Sequence, residues 1–330
     1  MSDSPNAPVS DAFRALFRDR ADASGAMTFE RFMDLALYHP QLGYYRRDRA
    51  RVGYAPGTDF YTASTSGPVF GELVVAACTS LLGSDAVRDH RFVELGAESP
   101  DGILAGVAHP FASADVVQLG DDAAFAGRCI VFSNELFDAQ PFRRFVYRRD
   151  AWRELGVALR GETLVEIELP LAAPPPPQLP VSAPDGYLVD APLAAVALAE
   201  HLARQKWTGL FIAFDYGKSW TELISAHPAG TARAYHRHRQ SNDLLAQPGE
   251  QDLTCHVCWD WLSRALTDHG FAPPTLETQE SFFLRRATDY IAHASTEDAA
   301  GFSRRKLSLL QLLHPGHLGQ KFQVLHAQRS

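Results

Sequence analysis

The sequence predicts an α/β fold with a doubly wound, largely parallel sheet, on three observations. Short apolar runs read as buried strands at Arg91–Gly96, Asp115–Leu119 (DVVQL), Cys129–Ser133 (CIVFS) and Leu210–Phe214 (LFIAF). Helical patterns alternate with them, which is how a parallel sheet with crossover helices is written in sequence. Three strand ends also carry polar residues: Glu94-Leu95-Gly96, Asn134-Glu135 followed by Asp138, and Asp215-Tyr216-Gly217. Open α/β sheets bind ligands outside the carboxyl ends of their strands, so acids and an amide at three such ends point to one cleft.

Taken in order, residues 1–25 are small and polar and read as a flexible N-terminus, apart from an amphipathic piece at Phe13–Phe17. From Thr28, a plausible N-cap, Phe29, Phe32, Met33, Ala36 and Leu37 recur at helical spacing until His39-Pro40 stops the helix. A loop rich in Gly, Arg and Tyr follows, then a helix from about Val69 to Leu82. Residues 26–88 are expected to form a helical and loop region covering the cleft, and residues 89–330 the sheet-bearing core. After Arg91–Gly96 a short helix is expected at Asp101–Val107. Residues 142–170 alternate with period two, the mark of an antiparallel meander, and open a β insertion at about 142–190. Pro174–Pro177 is a stiff segment within it. A helix at Ala191–Gln205 leads to the Leu210–Phe214 strand. A helix at Trp259–His269 stops at Gly270, and two further strands are expected at Thr275–Leu284 and Phe322–Leu325.

Composition limits the class of function. Among 330 residues, 46% are hydrophobic and 21% charged, as in soluble globular proteins. A net charge of −8 gives no broad basic surface for nucleic acid, so no nucleic-acid partner is expected. Four cysteines suit a reducing compartment rather than a disulfide framework. No secretory leader and no run of ~20 apolar residues is visible, so the expectation is a cytoplasmic chain without membrane insertion. Cys255 and Cys258 form the one suggestive metal pair, but a strand would point them to opposite faces, so no metal is expected. Arg143, Arg144, Arg148 and Arg149 read as a solvated face.

The loop after the first strand, FVELGAESPDGIL, has the acid and first glycine of a nucleotide-binding turn, Glu94 and Gly96. Glycines there permit positive φ and close backbone approach to a ligand. Further along, SNELFDAQPF (Ser133–Phe142) is similar to the signature of the MidA family, bacterial relatives of a mitochondrial complex I assembly factor. FMDLALYHPQLGYY, GTDFYTAST, FDYG, GTARAYHRH, QPGEQDLTCHV, LETQESFFL and HLGQKFQVL resemble the family's remaining motifs, in family order and over nearly the whole chain.

The resemblance implies a class I S-adenosylmethionine (SAM) methyltransferase sheet, Rossmann-like, with an N-terminal helical extension and an inserted antiparallel β region. It implies SAM as cofactor, protein N-methylation (arginine) as ancestral activity, and a protein substrate or client such as a respiratory complex subunit. Glu94, Gly96 and Gly102 would bind the cofactor. Asn134, Glu135 and Asp138 would act on the acceptor, with helix capping an equal alternative for Asp138. Asp59, Tyr61, Thr62, Asp215 and Tyr216 would line the substrate side.

Two departures stand out. Glu98 occupies the position of the family's next glycine and brings a carboxylate toward the cofactor's own carboxylate. Only about 40 positions separate Glu94 from Asn134, room for one extra strand instead of two, so the sheet is expected to lack one βα unit. The second strand is then the one deleted. Alternatively DVVQL is the second strand, and Asp121, 19 positions past Gly102, is the ribose-binding acid expected at ~20. Asp121-Asp122 also reads as an ordinary acidic turn. The departures support a second expectation: a catalytically inactive pseudo-methyltransferase acting as a protein-binding or assembly factor.

Overall fold

A computed structural model describes residues 9–47, 51, 53, 58–59, 63–170, 175–297 and 304–330. The chain divides into two compact units of interleaved segments, Met1–Phe60 with Asp138–Ala195 and Lys218–Cys258, and Tyr61–Phe137 with Val196–Gly217 and Trp259–Ser330. This differs from the sequence-based division, because residues 26–60 belong with the β insertion and residues 61–88 with the parallel sheet.

The second unit carries a six-stranded sheet of β1 (Arg91–Leu95), β2 (Ser113–Val117), β3 (Gly127–Asn134), β4 (Trp207–Asp215), β5 (Thr275–Thr278) and β6 (Gln323–Arg329). Their spatial order is β2-β1-β3-β4-β6-β5. The first four strands pair in parallel, and β6 runs antiparallel to both β4 and β5. In a doubly wound sheet ordered 3-2-1-4-5-6, the first strand lies between the second and the fourth. β2 pairs with β1 on the side away from β3, so DVVQL holds the second position and the deleted unit is the third. The expectation that the second strand was lost is therefore corrected. β2 is left as an edge: its residues are exposed or half-buried, and Leu119 just beyond it is 41% exposed.

The helix expected at Asp101–Val107 does not form. Gly102 N–H donates to Ser99 C=O at 3.0 Å, and Gly102 has φ +66°, so Ser99-Pro100-Asp101-Gly102 closes a turn. Turns and irregular chain carry the path to β2.

Helices α1 (Pro68–Leu82), α2 (Leu193–Arg204), α3 (Trp259–Asp268), α4 (Gln279–Arg286), α5 (Thr288–Glu297) and α6 (Arg304–Leu313) accompany the sheet. Phe70 of α1, Phe92, Phe132 and Phe214 of the strands, and Phe282 and Phe283 of α4 form an aromatic core, with Phe70 edge-on to Phe214 at 5.4 Å. Each ring buried this fully stabilises the unit by roughly 1.5–3 kcal/mol. The strand expected at Thr275–Leu284 stops at Thr278. There the Thr278 hydroxyl accepts the Ser281 N–H at 3.2 Å and caps α4, whose turn buries both adjacent phenylalanines.

In the first unit, Arg143–Arg148, Ala151–Arg160 and Thr163–Glu168 form the expected antiparallel meander, flanked by Ala26–Thr28 and Leu188–Ala191. Helix Phe29–Tyr38 starts at its Thr28 cap, which accepts from Arg31 N–H at 3.2 Å. Helix Asp11–Arg20 buries Phe13 and Phe17, the expected amphipathic piece, in the same core, and packed structure extends beyond that piece on both sides. Half of the arginine run is a solvated face as expected, Arg148 and Arg149 being exposed, whereas Arg143 and Arg144 are drawn into the fold. Arg143 grips Glu154 through two bonds of 2.8 and 2.7 Å, Arg144 bridges Glu166 and Asp190, and Arg148 meets Glu168 at 2.8 Å. All four cysteines are buried. Among the described residues no helix is long and apolar enough to cross a membrane.

Candidate functional site

Parallel pairing aligns the strand ends. Leu95 of β1 lies opposite Ser133 of β3, and Asn134 of β3 lies opposite Phe214 of β4. Gly96, Asn134 and Asp215 therefore meet at one carboxyl edge of one unit, although they are far apart in sequence.

The Glu94 carboxylate points into the loop that follows β1. It is buried, and its Oε2 accepts the Ile103 N–H at 2.7 Å. Burial pushes its carboxyl up to about 7, against the lowering effect of the Ile103 N–H. Gly96 and Gly102 both sit in the left-handed region, at φ +67° and +66°. A Cβ on Gly96 would fall 2.8 Å from Leu136 Cδ1, and one on Gly102 would fall 2.4 Å from Glu94 Oε2. Neither position tolerates a side chain in this conformation, so the chain needs glycine at both. Beside Gly102 lies a cavity of about 270 Å³, lined by Gly67 and Pro68 at the start of α1, Glu94, and Glu98, Ser99, Gly102, Ile103 and Ala105 of the loop. That is just below the ~300–1,000 Å³ usual for ligand pockets.

The backbone after β3 is strained. Glu135, a non-glycine residue, has φ 53°, and its N–H donates to Phe214 C=O at 2.9 Å. Asn134 Nδ2 donates to Glu135 Oε1 at 3.1 Å, while Asn134 Oδ1 is buried with no hydrogen-bond partner among the described residues. Asp215 is fully buried. Its Oδ2 accepts the Phe137 N–H and its Oδ1 the Tyr216 N–H, both at 2.9 Å. Its carboxylate shapes the 135–137 turn and is not presented to a substrate, contrary to the sequence expectation. Tyr216 packs its ring edge-on against Phe322 at 5.7 Å.

Asp138 lies in the first unit, buried in a turn with its carbonyl accepting Cys255 N–H at 3.0 Å; no helix starts there, which removes the capping alternative. Asp59 is also in the first unit and fully buried. Tyr44 hydroxyl and Arg237 N–H donate to its carboxylate at 2.7 Å each, and His238 N–H donates to its carbonyl at 2.8 Å. It fastens a two-residue hairpin turn in which Arg237 and His238 both have positive φ, so it is an anchor and not a substrate contact. Tyr61 and Thr62 lie outside the described residues. Asp121 Oδ2 accepts the Gln118 N–H at 2.9 Å, closing an acidic turn on its own backbone, and the side chain is exposed. At the end of the second strand it is Gln118 that leans toward the loop, its amide donating to Ser99 C=O at 3.4 Å.

Sequence reasoning missed Gln118, Gly67, Pro68 and Leu136. Gln118 was findable as the residue following an apolar strand; the other three come from chain neighbourhoods that only folding joins. Among the described residues no group of three or more His, Cys, Asp or Glu side chains is arranged to hold a metal ion.

A family model described as "Putative S-adenosyl-L-methionine-dependent methyltransferase" matches residues 110–275, half of the chain. Among solved structures, a COG1565 superfamily member from Burkholderia thailandensis bound to S-adenosyl-homocysteine is similar at 26% identity and a TM-score of 0.86, over 97% of this chain and 92% of that one. A second COG1565 superfamily structure from Burkholderia thailandensis matches at 24% identity and a TM-score of 0.80, with the same coverage. No curated protein matches. The sheet order, the glycine loop and the family match agree, and the chain belongs to this family of S-adenosyl-L-methionine-dependent methyltransferases.

Proposed function

We propose that this chain is a MidA-like methyltransferase that takes SAM in the Glu94–Gly102 cleft and methylates a nitrogen of a protein substrate, arginine being the acceptor the family resemblance implies. The observation that carries the reading is the in-register pairing of β1 with β3, which sets Gly96 beside Asn134 at the carboxyl edge. The Burkholderia relative, with S-adenosyl-homocysteine bound, supports the same cofactor for this chain. Two left-handed glycines whose Cβ positions are already filled fit a backbone that must curl around a ligand.

When bound, the cofactor supplies an electrophilic methyl on a cationic sulfur, and transfer releases a neutral thioether. The residues here must then hold the acceptor nitrogen and accept a proton. Asn134 Oδ1, buried and lacking a donor, is suited to accept an acceptor N–H. Glu135 is suited to take the proton, and its own bond from Asn134 orients it. Glu94, held by Ile103, keeps the loop turned around the cleft. Asp59, Asp138 and Asp215 are buried within the fold, and their part is positioning. A role in respiratory complex assembly, in the cytoplasm, accords with the resemblance to assembly-factor relatives.

A second reading, a pseudo-methyltransferase that binds or assembles a client, draws support from Glu98 in the glycine loop and from the absent helix after β1, so that the helix start lining the cavity is that of α1 instead. Thermal denaturation with SAM and with S-adenosyl-homocysteine separates the two. Ligand at 100 times its dissociation constant adds about 2.7 kcal/mol. A clear shift lost on Gly96→Arg supports the enzyme reading, and no shift at millimolar ligand rejects it.

A further inference from the structure

Glu94 is a buried acid in the wall of the cavity, with only 4% of its surface exposed. Its Oε2 is fixed by the Ile103 N–H at 2.7 Å, while Oε1 accepts no hydrogen bond from a described residue. The elements around it are poor in positive charge. Its neighbours in register, Val116 of β2 and Phe132 of β3, are apolar, and α1 presents Gly67 and Pro68 to the cavity. The ends of β2 and β3 bring Gln118, Asn134 and Glu135, and the loop adds the acids Glu98 and Asp101. Arg91, the cation of β1, is bonded to Asp115 at 2.6 Å, and no lysine or arginine lines the cavity. Burial opposed only by the Ile103 N–H pushes the Glu94 carboxyl up to about 7, so both of its forms are populated near neutral pH.

A ligand that brings a cation changes that balance. SAM carries one net positive charge at neutral pH, from its sulfonium, whereas S-adenosyl-homocysteine carries none. We infer that the cleft takes up SAM in exchange for a proton, which the Glu94 carboxyl gives up to solvent as it becomes the counter-charge of the cationic cofactor. The inference rests on the proposed use of this cleft for SAM. Only the ionised fraction of Glu94 is then competent to bind, and apparent affinity follows that fraction. It rises from about a tenth at pH 6 to about a half at pH 7, so SAM affinity should climb about fivefold over that interval and about twofold more above it.

Calorimetric titration of the full chain with SAM at pH 6 and pH 7, each in phosphate and in imidazole, tests this without turnover. The two buffers differ in ionisation enthalpy, so the difference in heat counts the protons released. The parent should release about half a proton at pH 7 and about nine-tenths at pH 6, and fewer with S-adenosyl-homocysteine. Glu94→Gln should bind SAM with the same heat in both buffers and the same affinity at both pH values. Glu98→Gln and Asp101→Asn, which remove the other acids of the loop, should retain the release. A thermal scan of each variant confirms the fold. In the parent, carboxyl NMR of 13C-labelled glutamate should show the Glu94 midpoint falling on addition of SAM, a readout that holds even where Glu94→Gln binds no ligand. Buffer-independent heat in the parent, release that survives Glu94→Gln or is lost in Glu98→Gln, or an unmoved Glu94 midpoint would each overturn proton exchange at Glu94 while leaving the cleft as a cofactor site. Absence of binding by either ligand in the parent would overturn the cleft assignment itself, and the inference with it.

Discussion

Glu94→Gln isolates the energetic role of the most buried acid in the cleft. The carboxyl's ordinary value is 4.5, and burial moves it to about 7. A group whose proton affinity rises on folding favours the native state when protonated. Below pH 4.5 both folded and unfolded forms carry the proton, and Glu94 imposes no penalty. Between 4.5 and about 7 the unfolded chain ionises while the native chain retains its proton, so stability falls as pH rises. Above about 7 the loss is complete. At ~1.4 kcal/mol per tenfold change in proton affinity it amounts to about 3 kcal/mol. Glutamine keeps an acceptor for the Ile103 N–H, which is 2.7 Å from Glu94 Oε2, and cannot ionise. The variant should match the parent near pH 4.5 and exceed it at pH 8 by about 2–4 kcal/mol, or roughly 3–6 °C in Tm for a chain of this length. Scans of both proteins at intervals from pH 4.5 to 8 give the difference directly, since other titrating groups cancel. A Tm difference that stays constant over this range would refute the claim that Glu94 is ionised at a cost in the native state.

Three further outcomes follow from named contacts. Gly102→Ala places a methyl where Glu94 Oε2 now lies and forces alanine into the left-handed region, so stability from denaturant unfolding should fall by about 2–4 kcal/mol; a neutral result would mean the loop relaxes freely. Asp215→Asn keeps one acceptor and turns an amide N–H toward a backbone donor, so it should cost about 2 kcal/mol and weaken S-adenosyl-homocysteine binding through the 135–137 turn, both measurable by thermal scan with and without ligand. Replacing Arg237-His238 by Asn-Gly supplies the residues a two-residue hairpin turn prefers and keeps both N–H groups bonded to Asp59. Tm should rise, by the equivalent of about 1–2 kcal/mol, and a fall would show that the His238 side chain, 3.0 Å from the Thr58 hydroxyl, holds the turn instead.

The sequence by itself determined the strands and their class. Runs such as CIVFS and LFIAF are apolar on both faces, which only a sheet covered on both sides requires, and the period-two stretch at 143–168 could bury only one face. It also placed Glu94, Gly96 and Asn134 at strand ends, because apolar runs end where the chain leaves the core. Tertiary structure alone decided which strand was deleted, since DVVQL has the same composition in either position and only its pairing with β1 distinguishes them. Tertiary structure also decided the fate of each acid. Asp59 and Asp215 look like ligand-binding carboxylates in a linear chain, but folding brings distant backbone N–H groups to both, and a buried carboxylate satisfied in that way has little left for a substrate. The difference is physical. Hydrophobic periodicity is a local property that the chain carries everywhere, whereas the partner of a polar group is chosen by residues up to 247 positions away.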